Sequence, residues 1–173
     1  SSGFGTVFVF HGSASGSQTT PNTTLTGNQA GALFGSSIST AGDVDGDGYS
    51  DIIVSSPDFD NGQLSEGKLH LYRGSAAGII TPAYWTYESN IGNTRIGVSV
   101  STAGDINGDG YSDLIIGSEG FISAGEVFSF LGSATGPSAS PDWTYDDIAN
   151  GGYLGYSVSS AGDVNGDGFS DVI

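Results

Sequence analysis

The chain contains no cysteine and no methionine, carries only three basic residues, and has no long apolar run. Each absence removes a class of protein. Without thiols there is neither a disulfide framework nor a thiolate metal site. Lys68, Arg73 and Arg95 stand against 19 acidic residues, for a net charge of −16. Nucleic acid and anionic membrane surfaces need a basic footprint, so this balance argues against both as partners. The apolar stretches, such as TVFVF, DIIVSS, KLHLY, DLIIGS and EVFSF, fall far short of the roughly 20 residues of a spanning helix, which predicts no membrane insertion. Helical periodicity is also missing. Val, Ile, Tyr, Phe and Thr alternate with turn residues, and 30 glycines punctuate the chain. The expected fold class is all-β.

What is present is acid in a pattern. Ten of the 19 acidic residues lie in three phrases: GDVDGDGYSDII from Gly42, GDINGDGYSDLI from Gly104 and GDVNGDGFSDVI from Gly162. Their first aspartates, Asp43, Asp105 and Asp163, are 62 and 58 residues apart. Other landmarks keep the same beat: VFVFHGSASG, LHLYRGSAAG and VFSFLGSATG end at Gly16, Gly78 and Gly136, and PAYWTYES from Pro82 matches PDWTYDDI from Pro141. A period near 60 with four short strands per unit predicts a β-propeller of four-stranded antiparallel blades. Residues 1–173 then form one partial propeller with about three blades' worth of sequence. Residues 31–90 and 91–150 are complete blades; 151–173 are the first half of a blade and 1–30 the second half, so one blade is split between the N- and C-termini. Closed rings have four to eight blades. The open edges are therefore expected to meet other copies or the rest of a longer chain. The sequence starts at SSGFGTVFVF and stops within SDVI, as expected of a piece cut from a longer or processed product.

The acidic phrase reads Asp-x-(Asp/Asn)-x-Asp-Gly-(Tyr/Phe)-Ser-Asp. Oxygen ligands at its positions 1, 3 and 5, a backbone carbonyl at 7 and a carboxylate at 9 would wrap a hard cation, and calcium takes six to eight oxygens in irregular geometry. Gly48, Gly110 and Gly168 at position 6 permit the sharp turn this needs. Like charges about 4 Å apart repel by about 4 kcal/mol per pair at an effective dielectric near 20, so an ion-free loop is expected to loosen. Magnesium prefers strict octahedral geometry, and zinc lacks its His and Cys ligands here. An EF-hand loop needs an acid at position 12, where this chain has Val54 and Ile116. A nonapeptide β-helix would repeat every nine residues. An ion-free Asp-Gly turn accounts for one copy but poorly for three.

These phrases, with Phe34-Gly35 ahead of the first and Ile96-Gly97 and Leu154-Gly155 as variants, resemble the FG-GAP repeats of integrin α-subunit propellers. The Gly-Ala-Pro position reads Ser55-Ser56-Pro57 and Gly117-Ser118-Glu119. The resemblance spans essentially the whole chain and implies a calcium-binding bladed propeller with three Ca2+ sites. Carried over by position, the ligands are Asp43, Asp45, Asp47, Tyr49 (carbonyl) and Asp51; then Asp105, Asn107, Asp109, Tyr111 (carbonyl) and Asp113; then Asp163, Asn165, Asp167, Phe169 (carbonyl) and Asp171. Asn at position 3 removes one charge from the second and third loops, which hints at weaker binding there.

Sites of this kind suit millimolar extracellular calcium. The expected product is a secreted or cell-surface protein, of bacterial type given the lack of disulfides. No Gly-x-Ser-x-Gly elbow, phosphate-binding glycine loop or Cys nucleophile is present, and His11 and His70 read as structural or solvent-facing. Paired acids occur only inside the acidic loops. A non-catalytic module for adhesion, protein interaction or assembly is expected, with a protein or glycan partner at a propeller face. The alternatives are a lectin, with Tyr84, Trp85, Tyr87, Trp143 and Tyr145 as aromatic platforms, and an accessory domain of a secreted polysaccharide-active enzyme. Packing between blades is the plainer role for those aromatics.

Overall fold

A computed structural model describes residues 3–120, 125–146 and 152–173. Among them every regular element is a strand. No helix among the described residues is long and apolar enough to cross a membrane. The first stretch pairs β1 (Thr6–Val9) with β4 (Thr23–Thr26), from Thr6 opposite Thr26 to Val9 opposite Thr23. Between them, β2 (Gly12–Ser13) and β3 (Gly16–Ser17) form a short ribbon that sequence periodicity does not announce.

Two four-stranded antiparallel sheets follow. The first runs in the order β5 (Ile38–Gly42), β6 (Asp51–Ser56), β7 (Lys68–Tyr72), β8 (Trp85–Glu88). The second contains β9 (Ile96–Gly104), β10 (Asp113–Ser118), β11 (Glu126–Phe130) and β12 (Trp143–Asp146), again with sequence neighbours side by side. The last strands, β13 (Ser160–Gly162) and β14 (Asp171–Val172), pair only with each other. The expected unit boundary at 150 and 151 lies outside the described residues.

Strand sequence dictates how these sheets pack. DIIVSS and DLIIGS are apolar at successive positions rather than alternately, so both faces of β6 and β10 must be covered. Ile53 points into a core shared with Leu69, Leu71, Leu114, Ile116 and Phe130 of the two full sheets. Its neighbour Val54 joins Val7, Leu25, Phe34 and Tyr72 on the opposite side. Ile115 likewise faces Val127 and Val158. The core is therefore layered, one apolar layer in each gap between consecutive sheets.

Each acidic phrase follows an irregularity in the strand that enters it. The register slips between Thr40 and Gly42 in β5 and opposite Asp113 and Leu114 in the second sheet. Gly42 has φ 76° and Gly104 φ 78°. A Cβ at either would stand 2.3 Å from the hydroxyl of Ser112 or Ser170. Only glycine fits there, and the resulting bulge turns the chain into the loop.

Candidate metal centre

The three acidic loops are hairpin connections: residues 43–50 between β5 and β6, 105–112 between β9 and β10, and 163–170 between β13 and β14. Gly48, Gly110 and Gly168 adopt φ of 90°, 90° and 94°, the left-handed turn expected at position 6. In the first loop, Asp43 Oδ1 accepts the Asp47 N–H at 3.0 Å and Oδ2 accepts the Gly48 N–H at 2.9 Å. Asp45 Oδ1 also faces the Asp47 N–H, at 3.3 Å, and Asp47 Oδ1 accepts the Tyr49 N–H at 2.9 Å. The first carboxylate thus curls the backbone around itself.

The same bonds recur in the other loops. Asp109 N–H is shared between Asp105 Oδ1 and Asn107 Oδ1 at 3.1 and 3.0 Å, and Asp105 Oδ2 accepts from Gly110 at 2.8 Å. Asp163 and Asn165 share the Asp167 N–H at 3.1 and 2.9 Å, and Gly168 donates to Asp163 at 2.9 Å. Tyr111 and Phe169 donate to Asp109 and Asp167, each at 3.0 Å. These backbone donors, Gly168 foremost, hold the exposed Asp163 carboxyl below its ordinary pKa.

Positions 1, 3 and 5 of the first loop come together: Asp43, Asp45 and Asp47 each offer a carboxylate oxygen within 4.8 Å of the other two. Oxygens bound to one calcium at about 2.3–2.6 Å can stand no farther apart than about twice that length, so this donor set fits a hard cation. Asp51, at position 9, is not in that group and has a different setting. It is fully buried; Oδ1 accepts the Gly74 N–H at 2.9 Å, while Oδ2 faces the Val44 N–H at 3.4 Å and the Tyr84 hydroxyl at 3.3 Å. Asp113 repeats this with Gly132 and Ile106, both at 2.8 Å. Burial pushes both carboxyls above the usual range, against the pull of these N–H donors. Asp171 receives the Val164 N–H at 2.8 Å. Among the described residues no third strand lies on the other side of β14 from β13 to supply the donor that Gly74 and Gly132 give the other two.

Several contributors were invisible to motif reading. Ser112 N–H donates to the Asp43 carbonyl and Ser170 N–H to the Asp105 carbonyl, both at 2.9 Å, so each loop is tied to the loop before it. The Tyr111 ring lies against Gly46 and the Phe169 ring against Gly108, where a Cβ would come within 2.7 Å. Arg73 Nε sits 2.6 Å from Asp45 Oδ2, while its guanidinium lies over the Tyr84 ring at 4.3 Å. That Nε has no aligned hydrogen-bond partner, so the contact with Asp45 is a charge pair rather than a directed bond. The available signal was the repetition itself: a Ser at position 8 in all three phrases, and Arg73 standing where the second unit has Leu131.

The aromatic candidates separate. Trp85 and Tyr87 close around Phe130, with centroids at 5.3 and 4.9 Å, and Tyr84 serves Asp51. Trp143 and Tyr145 stack on each other and remain about half exposed, at 47% and 52%. Among the histidines, His70 is buried with Nε2 3.3 Å from Ser56 Oγ, and burial followed by the Lys68 charge lowers its pKa to about 4. That value makes it a poor base at neutral pH.

Comparison with known proteins gives the same repeat. The FG-GAP repeat model matches residues 34–72 and 97–130, each span running from the start of one acidic-loop unit into its third strand. Integrin alpha-PS2 of Drosophila melanogaster is 32% identical over 163 residues, covering 86% of this chain and 12% of that protein. Integrin alpha-7 of Homo sapiens is 31% identical over 163 residues, 92% of this chain and 13% of its own length. Integrin alpha-E of Mus musculus is 32% identical over 160 residues, 86% and 14% respectively. The chain therefore spans only about an eighth of these relatives. FG-GAP is a β-propeller repeat, and the antiparallel four-stranded sheets are its units. This chain carries FG-GAP repeats and is a homologue of integrin alpha subunits over most of its length.

Proposed function

We propose that the chain is a non-catalytic, calcium-stabilised propeller module of an extracellular or cell-surface protein, serving adhesion, protein interaction or assembly. The single observation that carries this reading is the convergence of the Asp43, Asp45 and Asp47 carboxylates in a loop whose backbone bonding recurs twice more. Asp43, Asp45, Asp47, Asp51 and the Tyr49 carbonyl would hold the first ion. Asp105, Asn107, Asp109, Asp113 and the Tyr111 carbonyl would hold the second, and Asp163, Asn165, Asp167, Asp171 and the Phe169 carbonyl the third. The ion supplies positive charge that offsets carboxylate repulsion.

The chain's own residues turn that local effect into rigidity at longer range. Ser112 and Ser170 tie each loop to its predecessor, and Asp51 and Asp113 staple the hairpin to the end of the third strand through Gly74 and Gly132. A stiffened loop therefore steadies the junction between consecutive blades and, with it, the blade-face loops that would meet a protein partner. Among the described residues β1 and β14 each keep an unpaired edge, where the strands that complete their half-blades would pair. A lectin reading is not favoured, because Trp85 and Tyr87 pack edge-to-face with Phe130 and Tyr84 engages Asp51, which leaves only Trp143 and Tyr145 about half exposed.

Asp109→Ala tests the assignment. The melting temperature should fall by several degrees in millimolar calcium and change little in EDTA, read by circular dichroism. Equal losses in both conditions would mean that this loop binds no ion.

A further inference from the structure

A loop position and a position after the third strand change together within this one chain. Where position 3 is a carboxylate, Asp45, the third strand of the same sheet leads into Arg73; where position 3 is an amide, Asn107, the equivalent residue is Leu131. The contacts explain the pairing. Asn107 Nδ2 donates to Asp109 Oδ2 at 2.9 Å, so the amide cancels part of the local repulsion by itself. Asp45 has no proton to give. Its side chain is only 5% exposed and has Arg73 Nε at 2.6 Å instead.

We infer that Arg73 is a built-in counter-cation of the first loop, reducing its affinity for a divalent ion to the level of the asparagine-bearing second loop. The inference rests on the calcium reading above. Arg73 bears on both ends of the ligand set: on Asp45 directly, and on Asp51 through Tyr84, whose ring it covers and whose hydroxyl faces Asp51. The first loop has four carboxylates, Asp43, Asp45, Asp47 and Asp51, and the second has three, Asp105, Asp109 and Asp113. With Arg73 counted, the two carry equal net charge. A divalent ion entering the first loop meets a guanidinium already placed on one of its ligands, so part of the attraction of the extra carboxylate is spent before the ion arrives. Since the pair is held by charge rather than by a directed bond, lysine should serve in place of arginine.

The test is a calcium titration of the intact 173-residue chain followed by NMR, with the Gly48, Gly110 and Gly168 amides reporting each loop separately. Arg73→Leu should move the Gly48 midpoint to about tenfold lower calcium and leave Gly110 in place. Asp45→Asn added to Arg73→Leu should return Gly48 to its original midpoint, and Arg73→Lys should not move it. Arg73→Gln replaces the leucine variant if the latter fails to fold, with the same shift expected. A Gly48 midpoint that is unchanged or higher in the neutral variants overturns the role of Arg73 while Gly110 and Gly168 still report binding. Silence at all three glycines overturns the calcium reading and this inference together.

Discussion

Trp85 with Tyr87 and Trp143 with Tyr145 hold the same places in the outer strands of the two full sheets, stacked at 6.2 and 6.0 Å with rings nearly parallel. Their surroundings differ. The first pair is wedged against Phe130, which is fully buried, and the Trp85 indole N–H reaches the Ser138 carbonyl at 3.3 Å. The second pair faces outward with about half its surface exposed. The shared Trp-Thr-Tyr sequence thus produces a packed core element in one sheet and an open shelf in the other. What decides is the next sheet along: Phe130 of β11 covers β8, whereas no described third strand follows to lie against β12.

That contrast can be broken at its centre. Phe130→Ala should cost about 3–5 kcal/mol, the range for emptying a buried aromatic site, and should raise Trp85 exposure as read by fluorescence quenching. A loss under about 1 kcal/mol in urea unfolding would show that the gap between the sheets is not the main core. Next in size, Trp85→Ala should cost about 2–4 kcal/mol and Trp143→Ala under about 1 kcal/mol. Equal losses would erase the distinction drawn between the two sheets.

The two sheets also differ in charge. His70 in β7 stands where the second sheet has Phe128, and its pKa is lowered to about 4, by burial first and the Lys68 charge second. Above about pH 6.5 the ring is neutral whether the chain is folded or not. Between about 6.5 and about 4 the unfolded chain takes up a proton that the folded one refuses, so this residue's contribution falls by up to about 1.4 kcal/mol per pH unit. His70→Phe should flatten that part of the stability profile relative to the parent. Parallel profiles for the two proteins would mean that the ring is not buried as described.

Much of this was legible because the chain writes its unit more than once. The strand order, the hairpin placement of the acidic loops and the left-handed glycines at position 6 all follow from a phrase with fixed spacing and an apolar run behind it. The partners brought in by strand pairing within a sheet did not. Asp45 and Arg73 are 28 residues apart, and Asp51 meets Gly74 only after β6 and β7 pair. The position 9 aspartates show how one residue type can be under-read. Spacing presents them as ion ligands alone, whereas their burial and paired N–H donors also make them staples of the sheet. The exposure of Trp143 could not be foreseen either, since it depends on which neighbour covers β12 rather than on β12 itself.

We propose that the three repeated loops each close around a divalent ion and that this stiffens the sheets they join. Isothermal calorimetry with calcium, run alongside thermal unfolding of the same samples, addresses it directly. Three ions should bind per chain at up to millimolar calcium, and the melting temperature should rise with loading and revert in EDTA. A chain that takes up no calcium, and melts at one temperature with and without it, would mean that the loops are ion-free turns.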